Sequence, residues 1–137
     1  MDWNEVVEKL VDATHYWLVT VTTSYAPISR PIDGVWIRNS LYFGGHPSTR
    51  WRRNLASNSK AAVNLEDTEK PIILEGKVSI STLNQDLAEE VAHTSNSKYG
   101  FGQTPDQYRR EACIFMPQSV IAWAGVFENA TKFLFEN

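Results

Sequence analysis

The sequence predicts a mainly β protein: an antiparallel sheet closed or nearly closed into a barrel, with a few short helices. Two observations carry this. Aromatic and β-branched residues gather in short runs, such as Tyr-Trp-Leu-Val-Thr-Val-Thr-Thr at 16–23, and turn residues separate most of these runs. Helical patterns are few and short, so helices do not alternate with strands as a parallel sheet requires.

In chain order, the first element is a helix. Asp2 with Glu5 three residues on forms a capping box, and Trp3, Val6, Val7, Leu10 and Val11 make one apolar stripe. Residues 16–23 form the first strand, and Ser24-Tyr25-Ala26-Pro27 a turn. Residues 28–37 form an irregular second strand, because Pro31 cannot donate to a ladder and Gly34 marks a bulge or a close backbone approach. Arg38-Asn39-Ser40 turns the chain into a third strand at 41–43, so the first three strands read as a meander. Gly44-Gly45-His46-Pro47 breaks the sheet, and Ser48 or Thr49 caps a short helix that Asn58-Ser59 ends. Strands follow at 61–66 and 71–81, with a turn between them. Thr82 with Gln85 opens the longest helix, and Leu83, Leu87 and Val91 share its apolar side. Thr104-Pro105-Asp106-Gln107 is a second capping box, with proline at the first helical position. The tail returns to strands at 112–116, 119–127 and 131–135.

The length of 137 residues predicts one domain spanning 1–137, large enough to bury a core without disulfides. A net charge of -3 argues against a protein that coats nucleic acid. Cys113 is the sole cysteine, which excludes an intrachain disulfide and fits a reducing compartment. No apolar run reaches the ~18 residues that suggest a membrane span. The acidic start Met1-Asp2-Trp3-Asn4-Glu5 lacks a signal pattern, so a cytoplasmic protein is expected.

The segment richest in chemistry is Phe-Gly-Gly-His-Pro-Ser-Thr-Arg-Trp-Arg-Arg-Asn-Leu at 43–55. A strand ends, two glycines let the backbone approach a ligand, and a helix begins with free N–H groups that attract anions. At about 100° per residue, Arg50, Arg53 and Asn54 share one helical face, Trp51 and Leu55 share another, and Arg52 points elsewhere. The first face offers guanidinium forks that suit phosphate oxygens. Arg30, on the preceding strand, can add charge to the same pocket. The plainer alternative is a solvated arginine face.

These residues carry a resemblance. The ordered pieces Arg-Pro-Ile-Asp-Gly-Val-Trp, Leu-Tyr-Phe-Gly-Gly, Ser-Thr-Arg-Trp-Arg-Arg-Asn-Leu, Asn-Ser-Lys-Ala-Ala-Val-Asn-Leu and Leu-Glu-Gly resemble the pyridoxamine 5'-phosphate oxidase-like family. So does the ending Val-Ile-Ala-Trp with Ala-Thr-Lys-Phe-Leu-Phe. The resemblance implies a six-stranded antiparallel split β-barrel of Greek-key type, and a homodimer with flavin sites at the subunit interface. The implied cofactor is FMN or, in some branches, a deazaflavin coenzyme. On this resemblance Arg30, with Ile32 beside it, stands at the phosphate-binding position after the second strand. Ser48, Thr49 and Arg50 match the phosphate loop, and Gly44 and Gly45 match the strand end along the flavin ring. Many members carry a lysine where this chain has Trp51, and Arg53 is the candidate replacement.

Other candidates have two readings. Trp36 and Trp123 either flank a planar ring or pack as plain core residues. His46 either bonds phosphate or ring, or packs its loop. His15 and His93 lack partners at metal spacing, so no metal site is expected. Asp86, Glu89 and Glu90 read as a solvated helix face, and no catalytic residue is identified. The expected function is an FMN-dependent oxidoreductase acting on a small molecule. The alternatives are a deazaflavin-dependent reductase of the same fold, or a flavin- or heme-binding module without turnover.

Overall fold

The computed structural model describes residues 1–125 and 128–136. Four helices and eight strands follow in the order α1 (Trp3–Asp12), β1 (Tyr16–Val21), β2 (Pro27–Ile32), β3 (Val35–Ile37), β4 (Ser40–Phe43), α2 (Arg50–Ser57), β5 (Lys60–Asn64), β6 (Ile72–Ser81), α3 (Gln85–Tyr99), α4 (Pro105–Arg110), β7 (Ala112–Gly125) and β8 (Glu128–Leu134). Every strand pairing is antiparallel. The hydrogen-bonded order is β2-β1-β5-β6-β7-β4-β3, with β8 also on β7.

The two ends of that path, β2 and β3, are consecutive in the chain and separated only by Asp33 and Gly34. The curled sheet is therefore closed by its own backbone. The expected second strand at 28–37 is split at this joint, because its first half pairs with β1 and its second with β4. Counted as one bent strand, β2 and β3 complete a ring of six, and β8 is the extra strand. A simple meander of the first three strands is thereby corrected to two hairpins at opposite ends of the sheet. Gly34 makes the close approach its sequence context implied: a Cβ there would lie 3.0 Å from Leu41 Cδ1 and 3.2 Å from the Tyr42 carbonyl oxygen.

Other departures have local causes. The two tail strands at 112–116 and 119–127 fuse into β7, and Val126 and Phe127 lie outside the described residues. Pro117 does not break β7 because the β6 register shifts between Glu75 and Gly76, with Pro117 opposite Gly76 and Ser119 opposite Glu75. The last strand begins earlier than expected, at Glu128. Asn84, not Thr82, caps α3, accepting from the Leu87 N–H at 2.9 Å. Leu83 is buried, and its N–H donates to the Tyr108 carbonyl, so the chain is still in a loop at Thr82. The capping boxes at Asp2–Glu5 and Thr104–Gln107 both form. Arg38 and Asn39, at φ of 52° and 61°, make the two-residue turn between β3 and β4.

Period-two alternation sorts the core into two parts. Trp36, Leu41, Phe43, Cys113 and Phe115 point into the barrel, where they meet Leu18, Leu74 and Val120. Val35, Ile37, Tyr42 and Ala112 point to the other face, where Ala88, Val91 and Ala92 of α3 and Tyr108 of α4 cover them. Val6 and Leu10 of α1 join the barrel core, and Trp3 packs 5.1 Å from both Phe133 and Phe135 of the tail. Each large apolar side chain buried this way contributes about 1.5–3 kcal/mol.

The last turn of α3 clamps the joint between β2 and β3. The Gly34 N–H donates to Tyr99 Oη at 3.0 Å, and Tyr99 Oη donates to the Gly34 carbonyl at 2.8 Å. Lys98 Nζ donates to the same carbonyl at 3.2 Å and to Tyr16 Oη at 2.8 Å. Tyr16 Oη in turn donates to the Leu10 carbonyl at 2.5 Å. Burial is the largest influence on Lys98 and outweighs Asp12 and Asp33, holding its pKa down to about 8.

Two outcomes follow from these features. At Gly76 a Cβ would collide with the Met116 carbonyl oxygen and lie 2.9 Å from Pro117 Cα, both backbone atoms. Gly76→Ala is expected to lower stability by about 1–3 kcal/mol, read from urea unfolding. The unfolded chain binds the Lys98 proton more tightly than the folded one, so this group adds stability as pH rises from about 8 to about 10. Lys98→Met is expected to remove that rise in the urea midpoint. Above about pH 10 the raised pKa of buried Tyr16 acts oppositely in parent and variant alike.

Candidate functional site

A cleft of about 540 Å³ opens beside the clamped joint. That size falls within the range of small-molecule sites, about 300–1,000 Å³. Arg30, Ile32, Asp33 and Gly34 line it from the β2 side, with Val35. Tyr42, Phe43, Gly44 and Gly45 line it from the end of β4, and Thr49 and Trp51 from the start of α2. The opposing wall comes from α3, α4 and the loop between them: Ser95, Tyr99, Phe101, Gln103, Gln107, Tyr108 and Glu111.

The apolar floor is built on Trp51, which packs 5.6 Å from Phe43. Gly45 lies directly on this indole, and a Cβ there would meet Trp51 Cη2 at 2.8 Å. Gly44 is different: nothing lies within 4 Å of where its Cβ would be, so the strand end is bare toward the cleft. Trp51 Nε1 is buried without a hydrogen-bond partner among the described residues. The Arg30 guanidinium lies 5.8 Å from the Trp51 ring, and its Nε donates to the Pro31 carbonyl. Among the described residues no carboxylate pairs with Arg30, Arg50 or Arg53.

Arg52 is the buried arginine of α2. Its Nη1 donates to the Gly45 carbonyl at 2.6 Å, its Nη2 pairs with Glu111, and its Nε has no partner among the described residues. One guanidinium thus ties the β4 end to the residue that follows α4, across the base of the cleft. Helical spacing sets Arg52 apart from Arg50 and Arg53, which line the second hollow together, but spacing alone does not show that Arg52 is buried and structural.

The sequence-derived site residues divide. Arg30, Ile32, Gly44, Gly45 and Thr49 meet in the main cleft. Arg50 and Arg53 instead line a second, smaller hollow of about 330 Å³ with Thr22, Thr23, Asn54 and Ser57. Asn54 is buried there, and its Nδ2 donates to Thr20 Oγ1 at 3.1 Å, which pins α2 to β1. His46 and Ser48 line neither hollow. The Ser48 N–H donates to His46 Nδ1, and the hydroxyl lies 2.6 Å from the same nitrogen. That acceptor role leaves the imidazole proton on Nε2 when the ring is neutral. Thr49 is the N-cap of α2, yet its hydroxyl donates back to the His46 carbonyl at 2.8 Å and makes no cap bond.

Trp36 is buried in the barrel core, and Trp123 sits toward the far end of β7, so neither lines the main cleft. Burial pushes the Cys113 thiol up to about 11, which leaves it an inert core group. Among the described residues no cluster of His, Cys, Asp or Glu is arranged to hold a metal ion. Sequence reasoning missed the entire helical wall. Its one legible trace was Gly100-Phe101-Gly102, an aromatic residue between two glycines.

A bare strand end, an unpaired arginine, a capless helix start and a flat apolar floor together fit a planar ligand bearing an anionic group. No family model matches the chain, and no curated protein matches it. Solved structures do. A conserved hypothetical protein from Mycobacterium tuberculosis superposes with a TM-score of 0.75 at 14% identity, covering 90% of this chain and 84% of that one. An F420 reductase gives 0.63 at 21% identity, covering 82% and 94%. A pyridoxinephosphate oxidase family protein from Clostridium acetobutylicum, related to general stress protein 26, gives 0.66 at 17%, covering 96% and 91%. The chain has the pyridoxamine 5'-phosphate oxidase-like split-barrel fold. No helix among the described residues is long and apolar enough to cross a membrane.

The Arg52 bridge has a measurable consequence. Arg52→Ala leaves the Gly45 carbonyl and the Glu111 carboxylate without their donor. It is expected to lower stability by about 1–3 kcal/mol, read from urea unfolding, and to loosen any ligand bound in the main cleft. Arg52→Lys, which can reach only one of the two acceptors, is expected to recover part of the loss.

Proposed function

We propose that the main cleft holds a phosphorylated flavin, FMN, and that the protein is an FMN-dependent oxidoreductase acting on a small molecule in the cytoplasm. The observation that carries this reading is Arg30, a cation without a carboxylate partner among the described residues, at a ligand-sized cleft that the bare backbone of Gly44 also lines. The fold shared with an F420 reductase and a pyridoxinephosphate oxidase family protein supports it.

A bound flavin supplies the redox chemistry itself. The chain's work is then to bind, orient and exclude water. Arg30 and Thr49 hold the phosphate, and Arg50, exposed and next to Thr49, adds charge from the start of α2. Arg53 contributes from the second hollow. Gly44 gives the ring access to main-chain groups, while Trp51 and Phe43 keep the floor dry. This division of labour asks no catalytic acid, base or nucleophile of the chain.

A specific observation favours a second reading. Trp51 stands where the resembling family often has a phosphate-binding lysine, and its ring is buried under Gly45. One cation is absent from the grip, so a deazaflavin coenzyme is the alternative cofactor. The expected assembly is a homodimer with a two-fold axis, which lets one subunit complete its partner's cleft.

The test is titration of the purified protein with FMN at fixed ionic strength. A hydrogen bond to a charged group contributes about 1.5–3 kcal/mol, so Arg30→Ala is expected to weaken FMN about ten- to a hundredfold, and Arg50→Ala, whose side chain lines the second hollow and adds charge only, about two- to fivefold. Lys70→Ala, in the exposed turn before β6, is the control and leaves binding unchanged. Unchanged affinity in Arg30→Ala overturns the phosphate assignment. Binding of a deazaflavin but not FMN selects the second reading, and a heme spectrum in the purified protein rejects both. Sedimentation of a monomer at micromolar concentration rejects the shared site.

A further inference from the structure

Tyr99 and Phe101 stack almost parallel, with ring centroids 5.2 Å apart and 8° between planes, and both line the main cleft. Tyr99 is fixed from behind, because its hydroxyl exchanges two hydrogen bonds with Gly34. Phe101 is fixed by its neighbours. Gly100 and Gly102 have φ of 71° and 67°, in the left-handed region that residues with a Cβ rarely adopt. The two glycines fold the loop so that the phenyl ring lies on Tyr99. Phe101 is nevertheless 56% exposed. A rigid aromatic step with an open surface is a poor use of a phenyl ring unless something flat covers it.

The cleft says what that is. Its volume of about 540 Å³ suits a small molecule rather than a helix or a strand of another protein. Arg30 lines the same cleft and lacks a carboxylate partner among the described residues. We infer that the Tyr99–Phe101 stack is the ring-recognising wall of the cleft, and that the cleft selects a planar conjugated ring carrying an anionic group. The ring stacks on Phe101 and the anionic group is held by Arg30. FMN is one such molecule, so the inference deepens the proposed function and rests on its choice of cleft, but it does not require a flavin.

The test separates the two. Parent, Phe101→Ala, Phe101→Leu and Arg30→Ala proteins are titrated with riboflavin, FMN and naphthalene-2-sulfonate, and circular dichroism checks that each variant keeps the fold. Leucine keeps bulk and removes the ring. Stacking predicts that both Phe101 variants bind riboflavin and FMN about three- to tenfold more weakly, by the same factor for each flavin. Arg30→Ala weakens FMN and naphthalene-2-sulfonate but not riboflavin. If the parent ignores both flavins yet binds naphthalene-2-sulfonate in a Phe101-dependent way, the flavin reading fails and the ring wall stands. If FMN binds the parent and Phe101→Leu equally, the ring wall fails and the flavin reading stands. The inference is also overturned if no planar ring binds the parent. It is overturned again if the Phe101 variants change the sedimentation of the protein and not ring binding, because a second copy of the chain then covers the phenyl.

Discussion

The joint at Gly34 is the constraint on which the rest of the molecule depends. A sheet whose first and last members are consecutive in sequence can curl shut only if the chain turns sharply between them. Here that turn is made by Asp33 and Gly34, against Leu41 and the Tyr42 backbone. A turn this tight leaves a peptide N–H and a carbonyl without ladder partners, and such groups are expensive to bury unpaired. Tyr99 satisfies both, and Lys98 adds a second bond to the carbonyl. The end of α3 is thereby fixed to the place where the barrel closes. The cleft lies between those two parts, so one set of hydrogen bonds sets both the closure of the barrel and the position of the cleft's outer wall.

Arg52 performs the matching task at the other side of the cleft. Its guanidinium joins the Gly45 carbonyl to Glu111, so the β4 end and the chain leaving α4 share one anchor. A buried arginine with an unpaired Nε is an expensive way to hold two segments, and burying a charge rarely adds net stability over an apolar packing. What it gives is a fixed distance between two sides of a ligand-sized opening. Lys98, half-buried at one end, and Arg52, buried at the other, both donate to backbone carbonyls that line the cleft, those of Gly34 and Gly45.

Much of the fold was legible in the sequence because its signals are local. The Asp2–Glu5 and Thr104–Gln107 boxes, the Arg38-Asn39 turn and the apolar face of Trp51 and Leu55 each depend on residues within one turn or one hairpin. Gly34 announced a close approach, and the structure shows what it approaches. The misses are non-local. Thr82 reads as a cap until Leu83 is bound to Tyr108, twenty-five positions on. Arg30, Arg50 and Arg53 read as one charged cluster, yet Arg30 lines the main cleft while Arg50 and Arg53 line the separate hollow beside Thr22. Helical spacing put Arg52 on its own face, but only the position of Glu111 decides that this face is buried. The helical wall was invisible for the same reason: nothing in 95–111 says which end of the barrel it covers.

The two sides of the cleft differ in how they are built, and that difference bears on function. The floor comes from the barrel: Phe43, Trp51 and Ile32 are core residues on strands and a short helix, tied into the ladder and unable to yield. The far wall comes from a loop whose shape is fixed by two left-handed glycines and by the Ser95–Gln103–Tyr108 hydroxyl and amide contacts behind it. Tyr99 and Glu111 tie that wall to the barrel, but Phe101 at its tip contributes to neither tie, so substituting Phe101 leaves the barrel's own contacts in place, whereas substituting the floor removes core packing. In a fold that hosts many ligands, the floor can be kept for what every bound ring shares, its flat apolar face, and the wall varied for what distinguishes one ring from another. Phe101 is the most exposed apolar group of that wall, 56% open, although it stacks on Tyr99. In the proposed binding mode, specificity is therefore placed where a change of side chain costs the fold least.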